Sequence, residues 1–351
     1  MQKNYRKGRG AQIITKNPFL AQEYVTDHEE GLDEELLPEN LQTRIYYETP
    51  KTVVNKVESP DVGMEYSLNP YQGCEHGCVY CYARKTHEFW GFNAGLDFES
   101  KIVVKKNAPN LLEQLFLKPS WKPETIVLSG NTDCYQPIER KLKITRSLLE
   151  VFARFRHPVG IISKNTLMLR DLDLLQDLAK DNLVLVILSI NTLNEKLRSV
   201  MEPRTASAIK KLKAIEKMSS LGIPVMVMNA PVIPGLNHHE IPQIIKSAAE
   251  HGALSAGYTL VRLNGFIAQV FENWLKQNFA DRFDKVWNQV REVHGGQVSD
   301  SVFGRRMRGE GNIADVINQL FHQARKKYMR NDSLPPLDTT KFRRGGHYQL
   351  F

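Results

Sequence analysis

No stretch of this 351-residue chain is long and apolar enough to cross a bilayer. The longest apolar run, Leu183 to Leu188, is closed off by Asn182 and Ser189, far short of the ~20 residues a spanning helix needs. The opening residues, Met1 to Gly10, are basic and lead into Ala11-Gln12-Ile13-Ile14-Thr15-Lys16 with no apolar segment of secretory length. We therefore expect a cytoplasmic protein with no membrane partner. No period of solenoid type is present, which excludes a repeat architecture. Cysteine is scarce as well, with four in the whole chain. A disulfide scaffold spreads an even number of cysteines along a short secreted domain, and this chain is expected to be neither short nor secreted.

What is present describes an ordinary globular chain, 42% hydrophobic and 25% charged. Its length suits one large α/β domain with additions, or two small domains. The net charge of +8 is unevenly spread. Residues 1–10 carry four basic and no acidic groups and residues 301–351 ten basic and four acidic, so the ends supply +10 and the middle stands at −2. Basic ends on a nearly balanced body suit nucleic acid or another polyanion as partner, or act as solvated tails that keep the chain soluble.

Residues 1 to about 60 are polar, include the acidic stretch Asp27 to Glu35 and show no sustained period, which predicts an irregular extension over the core. After a first strand at Glu65 to Leu68, the runs Thr125 to Ser129, Val159 to Ser163, Val184 to Ile190, Pro224 to Val232 and Ala256 to Leu263 are nearly all apolar on both faces. That pattern belongs to strands buried in a parallel sheet. Between them lie amphipathic segments at Arg140 to Phe155, Leu169 to Ala179, Ala206 to Leu221 and Glu240 to His251. In the third, Ile209, Leu212, Ile215 and Met218 recur at three-residue steps, and Gly222 stops the helix. Asn237 opens the fourth with Glu240 three positions on, the arrangement of a capping box. A strand and a helix every ~25–37 residues describe a βα repeat closed or partly closed into a barrel. Further helices are expected at Phe271 to Phe283 and Ile313 to Tyr328, with a basic glycine-rich loop, Gly304 to Gly311, between them. The regions expected are an N-terminal extension (1–60), a core (61–265), and a helical C-terminal region with a basic tail (266–351).

Three of the four cysteines fall within eight residues, at Cys74, Cys78 and Cys81, on a short loop after the first strand. Three soft thiolates on such a loop can each bind one iron of a 4Fe-4S cluster and leave the fourth iron open. Glycines beside Cys74 and before Cys78 let the backbone fold around a bulky inorganic core. The alternative is a structural zinc site with His76 or Cys134 as fourth ligand, which a lone C-x3-C-x2-C fits poorly.

The C-x3-C-x-Φ-C spacing, with Tyr80 in the aromatic place, resembles the signature of the radical S-adenosylmethionine (SAM) superfamily. Asn69 to Gly73, Asn131-Thr132-Asp133 with Tyr135 to Glu139, and Ala230 to Asn237 resemble the spore photoproduct lyase-like, or DNA repair photolyase-like, branch. The resemblance covers roughly residues 60–265 and implies a partial (β/α)6 TIM-type barrel, the radical SAM core, with the cluster at its mouth. It also implies reductive cleavage of SAM to a 5′-deoxyadenosyl radical that abstracts a hydrogen atom from substrate, and an electron donor of flavodoxin or ferredoxin type. By the same resemblance Thr132 and Asp133 would hold the methionine amino group, and Lys164 or Arg204 its carboxylate. Ser189 and Asn191 would bond the ribose or carboxylate, and the turn Val232 to Leu236 would line the adenine pocket. Helix capping for Thr132, Asp133 and Asn191 and surface ion pairing for Lys164 and Arg204 are the competing uses.

Cys134 follows Asp133 on the loop after the second strand. The branch uses a cysteine of that loop as hydrogen-atom donor, several residues earlier in register, so Cys134 is a candidate catalytic residue or an inert buried thiol. The substrate is open. Nucleic acid is favoured by the basic ends, by the arginines of residues 304–308 and by Phe89, Trp90, Phe92, Phe303 and Phe342 as surfaces for bases. The alternatives are a radical enzyme acting on a peptide or small metabolite, and a non-catalytic, metal-stabilised nucleic-acid-binding protein.

Overall fold

Large apolar and β-branched side chains on both faces suit strands covered on both sides, and the runs fold accordingly. The computed structural model describes residues 5–20, 42–329 and 333–345. Its strands are β1 Arg44–Glu48, β2 Val54–Lys56, β3 Tyr66–Leu68, β4 Tyr71–Gln72, β5 Lys101–Lys105, β6 Ile126–Leu128, β7 Val159–Ser163, β8 Val184–Ser189, β9 Val225–Val232 and β10 Ser255–Leu260. The main sheet has the order β10-β9-β8-β7-β6-β3-β2. From β3 to β10 the six strands run parallel, and β2 pairs antiparallel with β3. Among the described residues no ladder joins β10 to β2, so the sheet is open on that side.

Helices α1 Leu96–Ser100 and α2 Ala108–Leu117 flank β5. The crossovers carry α3 Glu139–Leu142 and α4 Ile144–Phe155, then α5 Leu172–Ala179, then α6 Glu195–Met201 and α7 Ala208–Ser220, then α8 Ile241–Glu250. After β10 come α9 Ile267–Asn278, α10 Phe283–Glu292 and α11 Asn312–Tyr328. The expected helix at Phe271 to Phe283 is thus two helices. Its stripe begins earlier, at Ile267, Val270 and Phe271, and Phe279 leaves helical geometry at φ −146°. No helix among the described residues is long and apolar enough to cross a membrane.

Several local expectations fail for definite reasons. In α7, Leu212, Ile215 and Met218 are buried but Ile209 is 68% exposed. Three-residue steps lag a 3.6-residue turn by about 60° each, so the fourth position ends opposite the first. The vacated inner position is Lys211. The extension is not wholly irregular either: β1 pairs parallel with β5, and β2 joins the main sheet. Four of the five β1 residues are exposed, so β1 has no apolar alternation to reveal it. The acidic stretch Asp27 to Glu35 lies outside the described residues.

A smaller sheet, β1-β5-β4, ends on Gln72, two residues before Cys74. On the open side of the main sheet, residues 299–310 run from β10 to the β2–β3 connection. Leu260 N donates to Met307 O at 3.0 Å, Gly304 N donates to Asp61 Oδ1 at 2.6 Å, and Arg306 reaches Asp61 and Ser59. The tail lies at the other end. Arg343 N donates to Phe155 O, Arg344 bonds the carbonyls of Lys118 and Trp121, and Phe342 packs on Phe116 and His157. Those partners precede β6 and β7, at the strand ends opposite the cysteine loop. Phe342 is therefore half-buried packing against the core rings, not a surface for bases.

Candidate active site

The cysteine loop is shaped by backbone demands that few sequences meet. Gly73 and Gly77 have φ of +80° and +69°, the left-handed region that favours glycine. A Cβ on Gly73 would stand 2.8 Å from Lys101 O, and one on Gly77 2.9 Å from Glu99 Oε2. Cys74 N donates to Phe98 O at 2.8 Å and Val79 N to Met201 O at 3.1 Å. The buried Gln136 amide clamps both sides of Cys74, accepting from Glu75 N at 2.9 Å and donating to Gly73 O at 3.1 Å. Beneath the loop, Arg84 donates to Cys78 O from Nε and Nη2 at 3.0 and 2.8 Å. Arg84 also pairs with the fully buried Glu99. The Glu99 carboxylate accepts in turn from Gly10 N and Ala11 N, at 3.0 and 2.8 Å. The N-terminal residues are thereby strapped across the outer side of the loop.

Cys74 and Cys78 are buried and Cys81 is half-buried. Burial pushes all three thiols up, and Cys74 feels the charge of both Cys78 and Cys81. Three clustered thiols in a dry pocket ionise only against bound positive charge, which is the demand that an iron cluster meets. Among the described residues no three His, Cys, Asp or Glu side chains are disposed to hold a single metal ion. The fourth ligands weighed for zinc are engaged elsewhere. His76 faces Asp133 through Nδ1 at 3.3 Å and Asn165 through Nε2 at 3.3 Å. Cys134 is wholly buried in the main core.

The other candidates gather on the same rim, at the C-terminal ends of β6, β7 and β8. Asp133 Oδ1 accepts from Tyr135 N and Ser163 Oγ, both at 2.8 Å, and Oδ2 from Lys164 N at 2.8 Å beside His76. Burial alone would raise its carboxyl pKa, but the His76 charge and these hydrogen bonds outweigh burial and hold it below the usual range. Its oxygens are thus taken up in fixing the loops, and an incoming amino group would have to displace a donor. Thr132 Oγ1 donates to Tyr71 O. Lys164 Nζ donates to Ala230 O at 3.1 Å, lies 3.4 Å from Glu202 Oε1 and sits over the Tyr80 ring. Burial pulls its pKa down to about 8, against the nearby Cys78. Ser189 is buried at the end of β8. Asn191 Nδ2 donates to Tyr80 Oη at 3.1 Å and so holds the loop's aromatic residue. Arg204 lies outside the loop, paired with Glu75 at 3.6 Å.

Asn237 precedes the short turn His238–Glu240, but its side chain makes no capping bond. Its Oδ1 accepts from Ile233 N at 2.6 Å, and its Nδ2 donates to Asn191 O and Pro231 O at 2.8 and 3.1 Å. Glu240 instead accepts from Thr192 Oγ1 and Leu193 N at 2.6 and 2.7 Å. Both residues of the expected capping box tie the β9 turn to the loop after β8. Sequence reasoning also missed Gln136, the Arg84–Glu99 pair, and Glu202 with Lys211. Glu202 is fully buried between Lys164 and Lys211, with Lys211 Nζ 3.7 Å from its Oε2. The one signal for Lys211 was its place inside the drifting apolar stripe of α7.

The family model of the radical SAM superfamily matches residues 68–248. An uncharacterised protein of Mycobacterium tuberculosis is 33% identical over 228 residues, covering 64% of this chain and 67% of that protein. An uncharacterised protein of Methanocaldococcus jannaschii is 30% identical over 240 residues, covering 68% of this chain and 85% of that one. Among solved structures, spore photoproduct lyase complexed with a dinucleoside spore photoproduct superposes with a TM-score of 0.58 at 14% identity, covering 82% of this chain and 80% of that chain. A tyrosine variant of the same lyase gives 0.59 at 14% identity, covering 87% and 86%. At that identity the likeness is one of fold.

Proposed function

This chain belongs to the radical SAM superfamily, whose enzymes use a 4Fe-4S cluster and S-adenosylmethionine, and from that premise we propose that Cys74, Cys78 and Cys81 hold the cluster and that the substrate is a nucleic acid. The bound cofactors supply one-electron chemistry that removes a hydrogen atom from the substrate. The chain supplies orientation and exclusion of water. Lys164 offers its ammonium beside Cys78 and Cys81, where it can meet the carboxylate of the SAM methionine. Asp133 fixes His76 and the Lys164 backbone in register, and Thr132 ties the same loop to Tyr71. Ser189 and Asn191 form the adjoining wall toward the ribose, and the Val232–Leu236 turn closes it beside the adenine. Arg204 steadies the loop from outside. Cys134 keeps a structural place in the core.

The observation that carries the cluster assignment is the convergence of two buried thiols, a half-buried one and a lysine at the C-terminal ends of parallel strands, where such folds place their chemistry. The nucleic-acid reading draws on the arginine loop Gly304 to Arg308, which lies at the rim next to β10. The lyase of similar fold was solved with a dinucleoside photoproduct. Electrons would come from a flavodoxin or ferredoxin-type donor in the cytoplasm. Electron paramagnetic resonance of anaerobically reconstituted, dithionite-reduced protein tests the assignment. A 4Fe-4S signal that changes on adding SAM is expected, and stoichiometric zinc without an iron signal would sink it. SAM cleavage stimulated by oligonucleotides tests the substrate, and stimulation by peptides or small metabolites alone would replace that reading.

A further inference from the structure

Arg262 stands two residues beyond the end of β10, on the rim that carries the cysteine loop. It is half-buried, and among the described residues it makes no hydrogen bond or ion pair. Its neighbourhood explains why. Asp61 and Asp300 are near enough to act on its charge, but both carboxylates are already engaged. Asp61 accepts from Gly304 N and pairs with Arg306. Asp300 accepts from Val302 N at 2.8 Å and pairs with Arg305. Arg306 is itself a second cation close to Arg262, and burial together with that like charge lowers the Arg262 pKa. A guanidinium that has lost part of its water without gaining a partner is a costly arrangement unless an anion completes it.

Two further observations define the anion. Tyr82, next to Cys81, is half exposed, donates to Gly130 O at 2.6 Å and lies within electrostatic reach of Arg262. The guanidinium therefore lies between the cysteine loop and the arginine loop. On the outer side Phe303 is 55% exposed, with the Arg306 guanidinium over its ring at 4.4 Å, and Val302 beside it is also exposed. Cations next to an exposed aromatic face suit a ligand with an anion beside a flat ring. That combination is a nucleotide unit with its phosphodiester.

We propose that Arg262 binds a phosphodiester oxygen of the substrate at the barrel rim, while the exposed ring of Phe303 stacks on an adjacent base. This rests on the nucleic-acid reading above.

The test is fluorescence anisotropy of a short fluorescein-labelled oligothymidylate with the cluster-loaded protein, kept anaerobic, over a salt series. Arg262→Gln is expected to bind roughly tenfold more weakly and to reduce the salt slope by about 0.7, the share of one phosphate on a single strand. Arg262→Lys keeps the charge without the fork and should fall between. Lys213→Gln, an equal charge change on the exposed side of α7, should bind as the parent does. Because Arg262 pairs with none of the described residues, the thermal midpoint of Arg262→Gln without oligonucleotide should not drop; a drop would show a structural role and overturn the proposal. Parent-like binding by Arg262→Gln would also overturn it, and would leave the nucleic-acid reading standing. A parent protein that binds the oligothymidylate no better than its uncharged methylphosphonate analogue would end both.

Discussion

At the scale of single residues, the site depends on positions with no freedom to change. Gly77→Ala places a methyl group against Glu99 and Gly10 at a positive φ, so we expect loss of iron binding with a lowered melting temperature. Full iron and sulfide content in that variant would show that the loop tolerates the strain. Cys74→Ala, Cys78→Ala and Cys81→Ala should each abolish the cluster absorbance, whereas Cys134→Ala should retain it; loss of the cluster in the Cys134 variant would overturn the ligand assignment. Lys211→Met leaves Glu202 buried with one cation fewer, a change that costs about 3–5 kcal/mol in comparable pairs. Adding Glu202→Gln should restore part of that loss in chemical denaturation, and strict additivity would mean that the two do not interact. The gathering of the three cysteines on one loop was legible because it is set by residue type and spacing alone. Glu202 and Lys211 were not, since a buried ion pair is defined by a partner elsewhere in the chain. Asp133 shows the same limit: its presence on the rim was readable, but its four donors were not.

At the scale of elements, strand positions were read more accurately than helix details. The parallel strands announced themselves by being apolar on both faces, while β4 and β5 escaped because one is very short and the other has lysine at both ends. The capping box at Asn237 and Glu240 was a local pattern overruled by tertiary bonds. A serine is as good an N-cap as asparagine, but it cannot reach Asn191 O and Pro231 O together. Asn237→Ser should therefore destabilise the protein as strongly as Asn237→Ala, by about 2–3 kcal/mol for the buried donors and acceptors left unmet. A serine variant that melts like the parent would restore the capping interpretation.

At the scale of the whole molecule, the basic C-terminal region divides in two. Residues 302–308 lie at the rim, whereas residues 341–345 sit beneath the opposite strand ends, so the summed charge of the sequence concealed two different roles. Removing residues 341–351 should cost about 2 kcal/mol through the loss of Phe342 packing and leave oligonucleotide affinity unchanged; weakened binding at unchanged stability would return the tail to the polyanion surface. The same end of the core is sensitive to acid. His157 is buried, accepts from Trp121 Nε1 at 3.3 Å and meets Pro158 O through Nδ1 at 2.9 Å, and burial pushes its pKa down to about 3. A histidine held neutral stabilises the fold above its ordinary value of about 6.5 and loses that contribution as pH falls toward 3. Melting temperature should decline through that window, less steeply in His157→Gln, and equal slopes would exclude the histidine as the cause. Finally, the walls around the three thiols come from Gly10, Glu99, Gln136, Lys164, Glu202 and Lys211. A ribosome releases Cys81 long before Lys211, so the nascent chain carries three bare thiols on an unsupported loop through much of its synthesis. For the proposed cluster, iron delivery accordingly belongs after more than half the chain has emerged, and oxygen reaching the thiols earlier would cost active protein at birth.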